Sequence, residues 1–255
     1  MALLFGSNAN DVVNHGSASS LDNLQAFTLL YFITCTNPLT FGRWWYKDAG
    51  GGTSHRFNNQ PGTNSEVNLF VKFGGTNAGA NTTDLSITAD VPHWVVATFD
   101  VAASPMIRLY GAPINSSIVE GSYGFQDDGT SGKTADAAGS WMVGNNNTPN
   151  APTFGKISLF MAWNRALPLG ELLQQQSNPH FTPGNIIFSH YGIHGASGAG
   201  VQQDWSGNGN HGTVTGATKT DHAPIQIFPR PRNYWAGWAA AGYPGPFPLS
   251  RPVFN

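Results

Sequence analysis

Short β-prone runs, each closed by a cluster of glycine, asparagine, serine or proline, make up most of this chain. That punctuation marks an all-β protein, because extended pieces of a few residues bury apolar surface only by pairing into sheets and stacking them. Residues 27–34 (FTLLYFIT) are nearly all apolar and read as a buried strand. Residues 66–73 (EVNLFVKF) alternate: Val67, Leu69, Val71 and Phe73 face one way, and Asn68, Phe70 and Lys72 the other. Residues 93–100 and 105–111 predict an antiparallel pair, and 140–144, 155–163 and 186–191 predict further strands. One short helix is expected after Pro168, with Glu171 in its first turn and Leu169, Leu172 and Leu173 as an apolar stripe. Asn178-Pro179 stops it.

Charge narrows the function classes. Only 10% of the 255 residues are charged, well under the roughly 25% usual in soluble domains. The polar surface therefore has to come from Asn, Thr, Ser, Gln and Gly, which suits a protein packed against neighbours. A formal net charge of −2 and scattered basic residues, Arg230 and Arg232 aside, argue against nucleic acid as a partner. Cys35 is the only cysteine, so no intrachain disulfide or cysteine-based zinc site is expected. Residues 1–6 lack a basic region followed by a long apolar core, which predicts synthesis in a cytoplasm without a cleaved signal. The sequons at Asn81, Asn115 and Asn146 are then chance matches. No apolar run approaches the roughly 18 residues of a membrane span.

Composition shifts at Ala223. Seven of the 17 prolines fall in residues 223–255, mixed with Phe228, Tyr234, Trp235, Trp238, Tyr243, Phe247 and Phe254. Proline at that density forbids helix and central strand, leaving an extended arm. Disordered tails are poor in aromatics, so this arm is expected to anchor on another surface. At about 25 cal/mol per Å² of apolar area, a few such anchors offset the entropy of ordering it. The division expected is a sandwich domain at 1–222 and an interface arm at 223–255.

Three segments resemble the concanavalin A-like lectin/glucanase superfamily in its laminin-G-like branch. They are Trp94-Val95-Val96-Ala97-Thr98-Phe99-Asp100 with Ile107-Arg108-Leu109-Tyr110-Gly111; residues 155–160 running to Asn164-Arg165-Ala166-Leu167 and Glu171; and the turn from Asp204 to Thr213 (DWSGNGNHGT). The resemblance covers roughly residues 10–220 and implies a two-sheet antiparallel jelly-roll sandwich with one short helix. In many relatives that turn comes early in the domain. Here it follows the helix, so either a C-terminal hairpin completes the domain or a vestigial second unit begins there, and the short remainder of the chain favours the hairpin. Within the turn, Gly207, Gly209 and Gly212 are expected to supply positive φ. Asp204 either caps the loop or ligates Ca²⁺ with backbone carbonyls, since some members of the superfamily bind that ion.

The residues give no catalytic pattern. Glycoside hydrolysis needs two carboxylates some 5–10 Å apart, and Glu66, Glu120 and Glu171 are widely separated. Asp127-Asp128 reads as a solvated turn. His190 and His194 sit too far apart on an extended chain to share an ion. The Gly-rich run 195–200 lacks the lysine and following helix of a phosphate loop. Trp94 and Trp163 read as core. Trp44, Trp45 and Tyr46, beside a glycine-rich loop, are either a sugar-stacking platform or a buried strand.

The sequence therefore predicts a non-catalytic structural or interaction protein. The expected setting is a virion, as a bacteriophage capsid-decoration or tail/fibre component, homo-oligomeric or assembled with other subunits. The alternative is an extracellular carbohydrate-binding module, using loop aromatics or the concave sheet, with or without Ca²⁺. No other cofactor and no membrane partner are expected.

Overall fold

The computed structural model describes residues 2–6, 10–48, 54–60, 66–137, 139–145, 152–179, 184, 186–191 and 200–221. In chain order the strands are β1 (Ala2–Phe5), β2 (Val12–Asn14), β3 (Ala26–Cys35), β4 (Gly42–Asp48), β5 (Ser54–Gln60), β6 (Glu66–Val71), β7 (Ala78–Thr82), β8 (Pro92–Asp100) and β9 (Ile107–Pro113). They continue as β10 (Val119–Glu120), β11 (Tyr123–Asp127), β12 (Trp141–Val143) and β13 (Gly155–Trp163). Helix α1 (Leu169–Ser177) then precedes β14 (Ile186–Tyr191), β15 (Gly200–Gln202), β16 (Gly212–Thr215) and β17 (Thr218–Thr220).

Two antiparallel sheets stack into a jelly-roll sandwich. The first runs β10-β9-β8-β3-β13-β1-β17, with β14 also paired to β13. The second runs β11-β7-β6-β5-β4-β12-β2-β16-β15. After the helix, β15 and β16 form a hairpin on the second sheet, and β17 crosses to pair with β1 in the first. Residues 200–220 thus close both sheets, as the position of the glycine-rich turn predicts.

Alternation explains why residues 27–34 are nearly all apolar. Phe27, Leu29, Tyr31, Ile33 and Cys35 point into the core between the sheets. Leu30 and Phe32 point the other way, into a second apolar cluster with Trp94, Val96, Leu159, Met161, Trp163 and Leu172 of α1. The first sheet is therefore covered on both faces. Each large side chain buried there contributes roughly 1.5–3 kcal/mol.

The helix departs from its expected stripe. Leu172 is buried, but Leu169 and Leu173 are 39% and 36% exposed, and Gln175 and Gln176 face inward instead. Gln176 accepts a hydrogen bond from the Ile118 N–H and donates to the Ser116 carbonyl. The helix lies over a loop with open backbone groups, so amides suit that position better than leucine.

A buried ionic cluster sits at one end of the core. Lys47 of β4 and His55 of β5 lie in register on the inner face of the second sheet. The Lys47 ammonium lies 2.7 Å from Asp22 and 3.4 Å from Asp136, and donates to the Leu21 carbonyl. Asp136 also meets Lys133 at 2.7 Å and His55 Nε2 at 3.1 Å, and accepts the Asn23 N–H. His55 Nδ1 accepts the Lys72 N–H, so its proton sits on Nε2, facing Asp136. Burial alone would raise the Asp136 pKa; His55, Lys133 and the Asn23 N–H outweigh it and hold the carboxyl below its ordinary range.

Candidate functional site

The outer faces of the two sheets differ in kind. That of the first is occupied by the second apolar cluster and the helix. That of the second carries polar and aromatic side chains in rows set by the strand register. Arg43 pairs with Asn58, Asn58 with Asn68, and Asn68 with Asn81. Beside this row, Tyr46 pairs with Arg56, Arg56 with Phe70, and Phe70 with Gly79.

A β-bulge builds this face. The register of β4 on β5 shifts between Arg43 and Trp45, so one extra residue is inserted. Trp44 and Trp45 both turn into the core, at 0% and 1% exposure. Arg43 and Tyr46, three residues apart, consequently share the outer face, where plain alternation would have put them on opposite sides. The Arg43 guanidinium carbon lies 5.1 Å from the Tyr46 ring centroid and 5.4 Å from that of Phe41. That of Arg56 lies 4.7 Å from the Phe70 ring centroid. Burial, and for Arg43 the neighbouring charge of Arg56, pull both guanidinium pKa values down.

At the far side of the face, Phe125 of β11 is 52% exposed. A Cβ on Gly79 would stand 3.1 Å from the Phe125 ring and 3.7 Å from that of Phe70. Glycine there lets the two rings approach each other across one strand. The asparagines complete the surface. Asn81 donates to Glu66, and the buried side-chain oxygens of Asn58 and Asn81 have no partner among the described residues. Arginine forks, amides and one exposed ring on a sheet face match the groups of a saccharide, which offers hydroxyls at its rim and C–H on its faces.

Of the two readings of Trp44, Trp45 and Tyr46, the sugar-stacking platform is corrected and the buried strand is the one observed. Both tryptophans are core, Trp45 packing on Phe27 and Trp141 and Trp44 edge-on to Phe57. Tyr46 is on the outer face but only 7% exposed, beneath Arg43. Trp44→Phe is accordingly expected to lower stability by about 1–2 kcal/mol, read from its urea midpoint. Unchanged stability with weakened ligand binding would contradict the core assignment.

Asp204 caps its own loop. One carboxylate oxygen accepts the Ser206 N–H at 2.8 Å, and the other accepts the Ser206 hydroxyl at 2.8 Å and the Asn210 N–H at 3.0 Å. These three hydrogen bonds are the loop-capping role expected of Asp204. Among the described residues, no three His, Cys, Asp or Glu side chains gather as metal ligands. Gly207 and Gly209 have positive φ, 88° and 73°. Gly212 does not; a Cβ there would lie 2.5 Å from His15 and Val13, so glycine is required by close approach. Trp205, on the same turn, is 52% exposed, a feature the sequence reading passed over.

Carboxylates outside the buried cluster are engaged as well. Glu120 pairs with Arg108, and Glu171 is bidentate with Arg165. Asp128 accepts from Ser104 and from the Met106 N–H. Trp94 and Trp163 are core, as predicted. A cleft of about 260 Å³ at the edge of the first sheet is lined chiefly by Leu85, Ile87, Trp94, Val95, Ala112 and Val119. Two of its polar groups are engaged, Asp84 by the Ser122 N–H and His93 by the Val91 carbonyl. His194 and the arm residues Phe228, Tyr234, Trp235, Trp238, Tyr243, Phe247 and Phe254 lie outside the described residues, as does the side chain of His190.

The fold is the concanavalin A-like sandwich. A structure of an inferred carbohydrate-binding protein from Bacteroides ovatus aligns over 89% of this chain at a TM-score of 0.63 and 16% identity. The enzymatically active domain of tailspike protein 2 from bacteriophage CBA120 aligns over 74% at 0.53 and 10% identity. Domains LG4-5 of the mouse laminin alpha1 chain align over 78% at 0.46 and 11% identity, across 50% of that chain. This chain spans 61% of the Bacteroides protein and 29% of the tailspike domain. No family model matches the chain. No curated protein matches its sequence.

Proposed function

We propose that the domain is a non-catalytic glycan-binding module whose binding surface is the outer face of the second sheet. The observation that carries this reading is the bulge in β4, which turns Trp44 and Trp45 inward and sets Arg43 beside Tyr46, Arg56 and Phe70. Extra residues in a strand cost pairing, and they recur where a side chain must be re-aimed. Glycan recognition on a sheet needs little more than hydrogen-bonding amides, a ring to stack on and fixed charges, and β4 to β7 with β11 supply all three. The similar Bacteroides protein, inferred to bind carbohydrate, favours the same reading. Fold alone does not fix function.

A second reading concerns the setting. The charge-poor surface and the proline- and aromatic-rich segment 223–255 favour a virion component, attached by that arm and presenting the sandwich outward. The likeness to a phage tailspike domain is compatible with it. The arm would make the protein an oligomer or assembly subunit, with the glycan face left free.

The test is a glycan array on the full chain, read with Ca²⁺ and with chelator. Binding that is unaffected by chelator and lost in Phe125→Ala is the expected result. No binding to any saccharide would sink the reading.

A further inference from the structure

We infer that Arg43 and Arg56 select an acidic glycan, docking the carboxylate of a uronic or sialic acid residue. This rests on the glycan-binding reading of the same face. Four arginines lie among the described residues. Arg108 and Arg165 each hold a glutamate. Among the described residues Arg43 and Arg56 hold none: no carboxylate there is a hydrogen-bond or salt-bridge partner of either, and the Nε of each is buried without an acceptor. The two stand on adjacent strands of one face, close enough for one charge to disfavour the other.

Two neighbouring cations with unmet donors cost stability in the free protein. That cost disappears when an anion arrives between them. The aromatic rings fix the guanidinium planes in advance, as cation–π neighbours do, so little side-chain entropy is lost on binding. A planar fork matches a carboxylate through two parallel hydrogen bonds. A polyanion such as nucleic acid would need a longer basic stripe than this pair provides. Asn58 and Asn81 lie beside the pair in the same rows, their buried amide oxygens without a partner among the described residues.

The experiment titrates the full chain by calorimetry with galacturonate and sialylated oligosaccharides, their neutral counterparts of equal length, and a sulfated galactan. An acidic probe is expected to bind at least about tenfold tighter than its neutral counterpart, an advantage that shrinks as salt rises. Arg43→Gln and Arg56→Gln should each remove about tenfold on the acidic probe and leave the neutral one within about twofold. Arg→Lys at either site should lose most of the advantage although the charge remains. Equal affinity for acidic and neutral probes overturns the inference and leaves the glycan-binding face standing. So does an acidic preference that survives the double Gln variant, or a stronger preference for the sulfated galactan. Binding to none of the probes overturns both. The comparison of probes on the unaltered chain needs no variant, so a misfolded substitution does not blunt it.

Discussion

Asp136→Ala is expected to destabilise the sandwich by about 3–5 kcal/mol, the usual cost of stripping one partner from a buried ion cluster. The loss is large because one carboxylate serves four groups. Without it, Lys133 keeps a buried charge, His55 Nε2 loses its acceptor, and the Asn23 N–H is left unmet. Lys47 retains only Asp22 and the Leu21 carbonyl. Asp136→Asn keeps the shape and removes the charge, so it separates the ionic part of the loss from the packing part. Urea midpoints of the three proteins at neutral pH measure both. A change under about 0.5 kcal/mol, the range of an ordinary surface substitution, would show that the cluster does not hold the fold together.

Acid should loosen the molecule from about pH 6.5 downward. His15 is buried, its Nδ1–H donating to the Asn210 carbonyl at 2.9 Å. Burial pushes its pKa down from 6.5 to about 4, against the opposing pull of that hydrogen bond. The folded ring is therefore neutral at pH values where the unfolded chain already binds a proton. Stability from this group is full above pH 6.5, falls as pH drops from 6.5 toward 4, and levels off below. The integrated loss is about 3 kcal/mol. His55 and His93 are shifted the same way, chiefly by burial, and deepen the slope. Asp204 and His211 also act on His15, in opposite directions. Urea midpoints at pH 7.5, 6, 5 and 4 should fall steadily, and His15→Gln should flatten the curve. A flat profile for the native chain would refute the assignment.

The sandwich was largely readable from residue order, because alternation carries it. Residues 66–73 put Val67, Leu69 and Val71 in the core and leave Asn68 and Phe70 outside, as their spacing predicts. The continuous run in β3 announced a strand covered on both sides. The candidate site was half readable. Phe70 and Asn68 were placed on the outer face, but the arginines were not. Arg56 lies in a strand that carries Asn58, Asn59 and Gln60 and so lacks an apolar signature. Arg43 was hidden by the bulge: strict alternation groups it with Trp45 and separates it from Tyr46. No local signal marks where a strand takes an extra residue, since the bulge is fixed by Trp44 and Trp45 both finding space in the core. The ionic cluster was hidden for a different reason. Asp22, Lys47, His55, Lys133 and Asp136 come from distant segments, and only the closed sandwich brings them together.

Everything functional here depends on which surface a saccharide touches. Backbone amide shifts of the isotope-labelled full chain, followed as the tightest-binding oligosaccharide is added, locate that surface directly. The largest changes should fall on Arg43, Tyr46, Arg56, Asn58, Phe70 and Phe125, strands apart in sequence and side by side in the second sheet. Shifts gathered instead on the turn around Trp205, or on the cleft beside Leu85 and Trp94, with β4 to β7 unmoved, would contradict it.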